Sequence, residues 1–463
     1  MKRPLLILGL SVLTAGCTLA PRYERPAPPV PAAFPQGGPY KPAEPSAPTL
    51  PVDWKTVFGD ARLQRLIDAA LTQNRNLRQT VANVQAAHAQ FEVQRSALLP
   101  SVNASGQVVY QHQPAALGGA VTPGRIVGAN IGLSAYELDL FGRLRSLSDA
   151  AFQQYLAGEE GRRAARLSLV AETANAYLTL AAQRTLLAVS LDNRKSAEQS
   201  LSLTQSRFTG GVASELDVSQ AQTLVQQARA NAAAYVVDAA TAKDALDLLV
   251  GSTVAEADLP SGLDEIAPSI ASPPAGLSSD ILLTRPDVLQ AEHLLRAANA
   301  QIGAARAAFF PKITLTGQDG YASAGLNTLF GGANSSWSFT PAISVPLFAG
   351  GRNLGNLRTT EAQRDAAVAA YERAVQAAFR DVSDALAAAG GTVERLSAQQ
   401  ALVAAASNAV RLSNARYERG ADTYLNLLIA QRTLYAAQQS LVTAQLANVS
   451  SRVSLYRALG GGA

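Results

Sequence analysis

This chain repeats itself. Arg207-Phe208-Thr209-Gly210-Gly211-Val212-Ala213-Ser214-Glu215-Leu216-Asp217-Val218 returns as Arg416-Tyr417-Glu418-Arg419-Gly420-Ala421-Asp422-Thr423-Tyr424-Leu425-Asn426-Leu427 without a gap. The register holds onward, pairing Gln222 with Gln431 and Leu249-Val250-Gly251 with Ala458-Leu459-Gly460. It also extends backwards. Leu140-Phe141-Gly142-Arg143 matches Leu347-Phe348-Ala349-Gly350-Gly351-Arg352, and Ala97-Leu98-Leu99-Pro100 matches Ala308-Phe309-Phe310-Pro311. A unit of about 200 residues is too long for a solenoid repeat and means a duplicated domain. Whatever the first half folds into, the second must fold into as well.

Charged residues make up 16% of the 463 positions, against about 25% in an ordinary soluble chain. Exposed surface must therefore be polar without charge, or apolar. The formal charge of +4 is scattered rather than gathered in a stripe, so it is no footprint for nucleic acid. Met1-Lys2-Arg3, the apolar run Leu5 to Leu13 and the small residues Thr14-Ala15-Gly16 read as a secretory signal over 1–16, too short to span a bilayer. A single cysteine in an exported chain needs its own explanation. Leu13-Thr14-Ala15-Gly16-Cys17 resembles a bacterial lipoprotein box, which implies that Cys17 becomes the lipidated first residue; Thr18 after it resembles lipoproteins sent on to the outer membrane.

Twelve of the 23 prolines lie between Pro4 and Pro51, so 17–51 reads as an extended, lipidated tether. Proline is then absent between Pro123 and Pro260 and after Pro346, in blocks whose Ala-, Leu-, Gln- and Arg-rich composition suits long helices. The first repeat, 52–255, should open with one helix from about Asp60 to Leu98. A β-hairpin over 101–140 follows, since Val102, Ala104, Val108 and Tyr110 alternate with Ser101, Asn103, Ser105 and Gln107. From Gly142 to Arg207 the pattern is helical over about 95 Å, longer than any ordinary globular domain is wide. Gly210-Gly211 stops that helix and Ser214-Glu215-Leu216-Asp217 fits a capping box for the next. A linker over 256–279 joins the second repeat, 280–463, which opens at Leu282-Leu283-Thr284-Arg285-Pro286-Asp287-Val288 and runs through a hairpin over 311–348 to two more helices.

No run of 18 apolar residues exists to cross a membrane as a helix. The four alternating segments have the length of tilted transmembrane strands, and Tyr110, Tyr136, Phe141, Tyr321, Trp337 and Phe348 near their ends suit interfacial girdles. Four strands cannot close a barrel, and an open edge is not tolerated in hydrocarbon. Three copies would supply twelve. The expected class is an α+β membrane protein, in which a trimer closes a twelve-stranded β-barrel with the long helices gathered beneath it.

The duplicated helix–hairpin–helix–helix layout, the Arg285-Pro286-Asp287 opening, the paired turns at Arg207 and Arg416 and the lipoprotein box resemble the TolC-type outer-membrane efflux channels, in the lipidated OprM-like branch. The resemblance implies a homotrimer in the outer membrane, its twelve-stranded β-barrel continuous with a twelve-helix α-barrel, anchored through lipid at Cys17 and otherwise without cofactor. It implies a passive exit duct whose tunnel extends into the periplasm, docked on a periplasmic adaptor protein and an inner-membrane RND-type transporter. A type I secretion channel and a periplasmic coiled-coil scaffold lipoprotein are the alternatives; the scaffold has no need of four strands with aromatic ends. Catalysis finds little support, because His88, His112 and His293 show no metal-ligand spacing and nucleophile or phosphate-loop motifs are absent.

The turns carry the candidate residues. Arg207, Gly211, Ser214, Leu216 and Asp217 in the first half, and Arg416, Tyr417, Gly420, Thr423 and Leu425 in the second, are expected at the adaptor-docking tip. Their plainer roles are helix stops and caps. Where better-known members carry acids just after the second turn, this chain has Asn426 and Ile429, leaving Asp422 as the gate candidate, with Arg416, Tyr417 and Asn426 beside it.

Overall fold

The computed structural model describes residues 18–40, 53–112, 123–271 and 278–461. In chain order the elements are α1 (Ala61–Gln73), α2 (Arg75–Ser96), β1 (Val102–His112), β2 (Pro123–Leu138), α3 (Arg143–Thr209), α4 (Glu215–Val250), α5 (Pro286–Ala307), β3 (Lys312–Ser323), β4 (Ser335–Ser344), α6 (Arg352–Glu418) and α7 (Tyr424–Ala458). The duplication is visible in the lengths: α3 and α6 have 67 residues each, α4 and α7 have 36 and 35. None of the described helices is long and apolar enough to cross a membrane. Contacts divide the chain into two compact units that cut across the repeats. One holds the residues up to Ala27, Val84–Gly158 and Gln290–Tyr371; the other holds Pro28–Asn83, Glu159–Leu289 and Glu372–Ala463.

The first unit contains the strands. They form one antiparallel sheet in the order β1-β2-β3-β4. Its register places Ala104, Ile131, Asp319 and Trp337 in one row and Val102, Leu133, Gly317 and Phe339 in another. Alternation then sends most of the apolar residues to one face and Asn103, Ser105, Gln107, Gln318 and Ser338 to the other. A bulge between Leu133 and Tyr136 interrupts β2, where Ala135 takes a φ of 48°. At the end of β2, Glu137 accepts two 2.7 Å hydrogen bonds from Arg143 and pairs with Lys312 at 2.9 Å. Asp139 accepts from the Leu144 and Arg145 amides, satisfying two of the free N–H groups that open α3.

The segment read as an extended tether is held at a few polar anchors where it is described. Arg25 donates to both oxygens of Glu292 on α5, and Tyr23 and Arg296 donate to the same carboxylate, which is 2% exposed. Burial pushes the Glu292 carboxyl up, but the Arg25 hydrogen bonds and the Arg296 charge hold it below the usual range. Asn299 donates to the Pro21 carbonyl, and the Thr18 and Ser146 hydroxyls share a hydrogen bond.

The second unit holds the larger core. Leu63, Leu66, Ile67 and Ala70 on α1 recur at helical spacing and are buried, the first three in one core with Ala174, Tyr177, Leu178 and Leu246. Asp60 caps this helix by accepting from the Arg62 and Leu63 amides. The single helix expected from Asp60 to Leu98 is broken at Asn74, which leaves helical geometry with a ψ of 127°. Asn74 accepts from the Leu77 amide and donates to the Leu249 carbonyl, so it ends α1 and starts α2 while tying both to α4.

The stretch read as a linker is also built structure over its described part. Leu263–Ile266 forms a helical turn, and Leu263, Ile266 and Ile270 join the main core. Backbone bonds from Ala271 to Val57 and from Gly59 to Ser269 fix it there. Just beyond, Pro286 opens α5 as the sequence suggests. Asp287 meets more than the helix dipole: both its oxygens accept from Arg285, at 3.0 and 2.7 Å. The same guanidinium, 8% exposed as a residue, donates to the Ala458 carbonyl at 2.6 Å and to the Ala378 carbonyl at 3.4 Å. The Arg-Pro-Asp signature is thus a staple between the start of α5, the middle of α6 and the end of α7.

Candidate functional site

Both turns share one backbone. After α3, Gly211 takes a φ of 76°, its amide donates to the Phe208 carbonyl, and the Val212 amide donates to that of Arg207. After α6, Gly420 takes a φ of 72°, with the corresponding bonds from Gly420 to Tyr417 and from Ala421 to Arg416. This is the two-bond closure in which a left-handed glycine satisfies helix-end carbonyls, and the positive φ explains both glycines.

The side chains on that backbone differ. In the first turn Ser214 and Asp217 complete the capping box: the Ser214 hydroxyl accepts from the Asp217 amide at 3.1 Å, and the Asp217 carboxylate accepts from the Ser214 amide at 2.9 Å. In the second turn the residue at the cap, Thr423, makes no side-chain cap bond. Its neighbour Asp422 takes over the wiring. One Asp422 oxygen accepts from the Thr423 amide and the Asn426 side chain, the other from Arg416 at 3.0 Å. The Asn426 amide first, then Arg416, hold the Asp422 carboxyl below the usual carboxylate range.

Tyr417 lies where the two turns meet. It is 3% exposed, while its counterpart Phe208 is 46% exposed. The Arg207 guanidinium lies 4.7 Å from the centre of the Tyr417 ring and donates to the Glu418 carbonyl; the Tyr417 hydroxyl shares a 3.2 Å hydrogen bond with Thr204. Tyr424 packs 5.6 Å away, centroid to centroid, and with Tyr417, Leu427 and Ala221 forms a small core of its own. Burial, with Tyr417 and Asp217 nearby, pushes the Tyr424 phenol up to about 12.

The structure therefore brings Arg207, Tyr417 and Gly420 together, and gathers Arg416, Asp422 and Asn426 into a second cluster. Leu216 and Leu425, equivalent in the repeat, stay exposed at 65% and 49%. Cys17 lies outside the described residues. Sequence reasoning missed Thr204, although its place three residues before Arg207 sets both on one helix face. It also missed the division of labour between the two arginines, which no local pattern reveals.

Comparison with known proteins places this geometry. The pattern of the outer membrane efflux protein family matches residues 66–252 and 277–461. The chain is 43% identical, over all of its length and 96% of the relative, to the probable efflux pump outer membrane protein TtgC of Pseudomonas putida. It is 44% identical to outer membrane protein OprJ of Pseudomonas aeruginosa, covering 98% and 95% of the two chains. Among solved structures, the open state of the Neisseria gonorrhoeae MtrE outer membrane channel superposes with a TM-score of 0.86 at 37% identity, covering 96% of this chain and 98% of that one. CusC gives 0.87 at 37% identity, covering 96% and 100%. A duplicated α+β chain with, among the described residues, one four-stranded sheet and two 67-residue helices, and with this likeness along its length, belongs to the outer membrane efflux protein family: it is a channel of the outer membrane and not an enzyme.

Proposed function

We propose that three copies of this chain form the exit duct of a tripartite efflux system, passing small toxic compounds outward from an RND-type inner-membrane transporter through a periplasmic adaptor. The observation that carries the reading is the sheet: among the described residues β1 and β4 each have one edge without a strand partner, which a membrane protein must close. Relatives named as toluene and antibiotic efflux components support small apolar and drug-like cargo. The turns dock the adaptor through Leu216 and Leu425 on their exposed surfaces. Acyl groups at Cys17 hold the amino terminus in the membrane, two chains being enough for stable anchoring.

For the gate, the wiring supports a closed state held within each copy by Arg207, Thr204 and Tyr417, because Arg416 is engaged with Asp422 in its own turn. Three Asp422 carboxylates brought together would favour cations, reduced by the Arg416 partner each carries. Expression in a host lacking its own outer-membrane duct, together with the cognate adaptor and transporter, should restore resistance to toluene-like compounds. Purified trimer should conduct in a planar bilayer, and Asp422→Ala should lower cation preference. No rescue together with no conductance would overturn the proposal.

A further inference from the structure

The internal duplication fixes how one copy meets the next. We propose that β4 of one copy pairs antiparallel with β1 of its neighbour in a single register: Val345 opposite Val102, Ile343 opposite Ala104, Phe339 opposite Val108 and Trp337 opposite Tyr110. The proposal rests on the trimer reading above and adds which residues face each other.

Two correspondences generate it. Along the strands, β3 repeats β1: Ile313 falls on Val102, Gly317-Gln318 on Gly106-Gln107 and Tyr321 on Tyr110. Past the strands, Leu140-Phe141 falls on Leu347-Phe348, so Leu138 corresponds to Val345 and Tyr136 to Ile343. Within one chain β2 meets β3 with Leu138 opposite Ile313 and Tyr136 opposite Leu315. Carrying both correspondences across sets Val345 against Val102 and Ile343 against Ala104. Because β4 pairs with β3 without a bulge, the ladder continues unbroken to Trp337.

The resulting seam is chemically consistent on both faces. Phe339 and Trp337 meet Val108 and Tyr110 on the apolar face; Thr340 meets Gln107 and Ser344 meets Asn103 on the polar one. A slip of one residue would set Phe339 against Gln107, since side chains alternate along a strand. Below the strands the joint agrees. Phe141 stacks on Phe310 with ring centres 4.7 Å apart inside one chain, while the counterparts Phe348 and Leu99 are 91% and 70% exposed and would meet across the seam.

Barrel geometry supports the same choice. Partners followed across the sheet run from Val102 to Leu133, Gly317 and Phe339, and then to Val108 of the next copy. That advance is about 20 Å along strands spanning about 19 Å of sheet, a tilt near 45°. Matching Arg352 to Arg143 instead of Phe348 to Phe141 would advance to Tyr110, a tilt of about 55° against the usual 35–45°.

Cysteine pairs test it in the full-length chain with Cys17 unaltered. Thr340→Cys with Gln107→Cys, and Phe339→Cys with Val108→Cys, cover both kinds of opposed pair. Thr340→Cys with Ser105→Cys or with Val109→Cys are the controls, whose diagonal separation exceeds disulfide reach. Mild oxidation should yield covalent trimer from at least one opposed pair, at about tenfold the level of either control. Ser344→Cys with Asn103→Cys replaces any opposed pair that fails to assemble. Preferential cross-linking of a control, or no cross-link in variants that native mass measurement shows to be trimers, overturns the register and leaves the trimer standing. A monomeric unmodified chain in mild detergent overturns both.

Discussion

The two turns share the same left-handed glycine and the same pair of backbone bonds but have opposite attachments. In the first, a capping box fastens the turn to its own following helix, and Arg207 is left free to reach across to Tyr417 and Glu418. In the second, Arg416 bends back to Asp422, and the aromatic residue beside it buries itself against the first turn. The first turn therefore grips, and the second is gripped. Duplication kept the fold of the turn, which depends on one glycine and two backbone bonds, and released the side chains to divide the work of holding the pair together.

The comparison breaks most visibly at Tyr417 and Phe208. Tyr417→Ala should destabilise by about 3–5 kcal/mol, the usual cost of emptying a buried aromatic site. Phe208→Ala, at the equivalent position, should stay within about 1 kcal/mol because the residue is already nearly half exposed. Denaturant unfolding of the two variants side by side would show it, and equal losses would mean that the asymmetry has no energetic content.

A smaller difference is expected at the caps. Ser214→Ala should cost about 1 kcal/mol, while Thr423→Ala, which removes no cap bond, should fall within about 0.5 kcal/mol. Amide exchange over the first turns of α4 and α7 would separate them. The smallest effect concerns pH. The Asp422 carboxyl is depressed in the folded chain, so its contribution is complete above the ordinary value of about 3.9 and fades as pH falls through its lower folded value. The solvent-exposed Arg416 partner keeps the contribution modest. Asp422→Asn should remove this acid-dependent loss of protection at Thr423 and leave the first turn's pH response unchanged.

What could be read from the sequence was whatever local chemistry decides. Gly211 and Gly420 announced helix ends, Ser214 and Asp217 announced a cap, and two-residue alternation announced four strands. Asn74 was unreadable because nothing around it breaks a helix; the break becomes favourable through its bond to Leu249, 175 positions away. Nothing in the residues around Glu292 marks it as buried; its partners Arg25 and Tyr23 lie in the amino-terminal segment, far away in sequence. At the turns, each half read in isolation suggests the same role for Arg207 and Arg416. Their difference appears when α3 and α6 lie side by side.

Arg285 has a consequence for the order in which contacts can form. Its guanidinium sits at the start of α5, yet its shortest hydrogen bond runs to the carbonyl of Ala458, 173 positions later. During synthesis the nearer of that nitrogen's two carbonyl acceptors is missing until the end of α7 has emerged and docked. A chain cut short of Ala458 would keep the Asp287 pair but leave a buried donor unsatisfied, at about 1–3 kcal/mol. The staple thus makes the start of α5 depend on the end of α7, and a series of truncations in α7 should show stability falling in one step as Ala458 is removed.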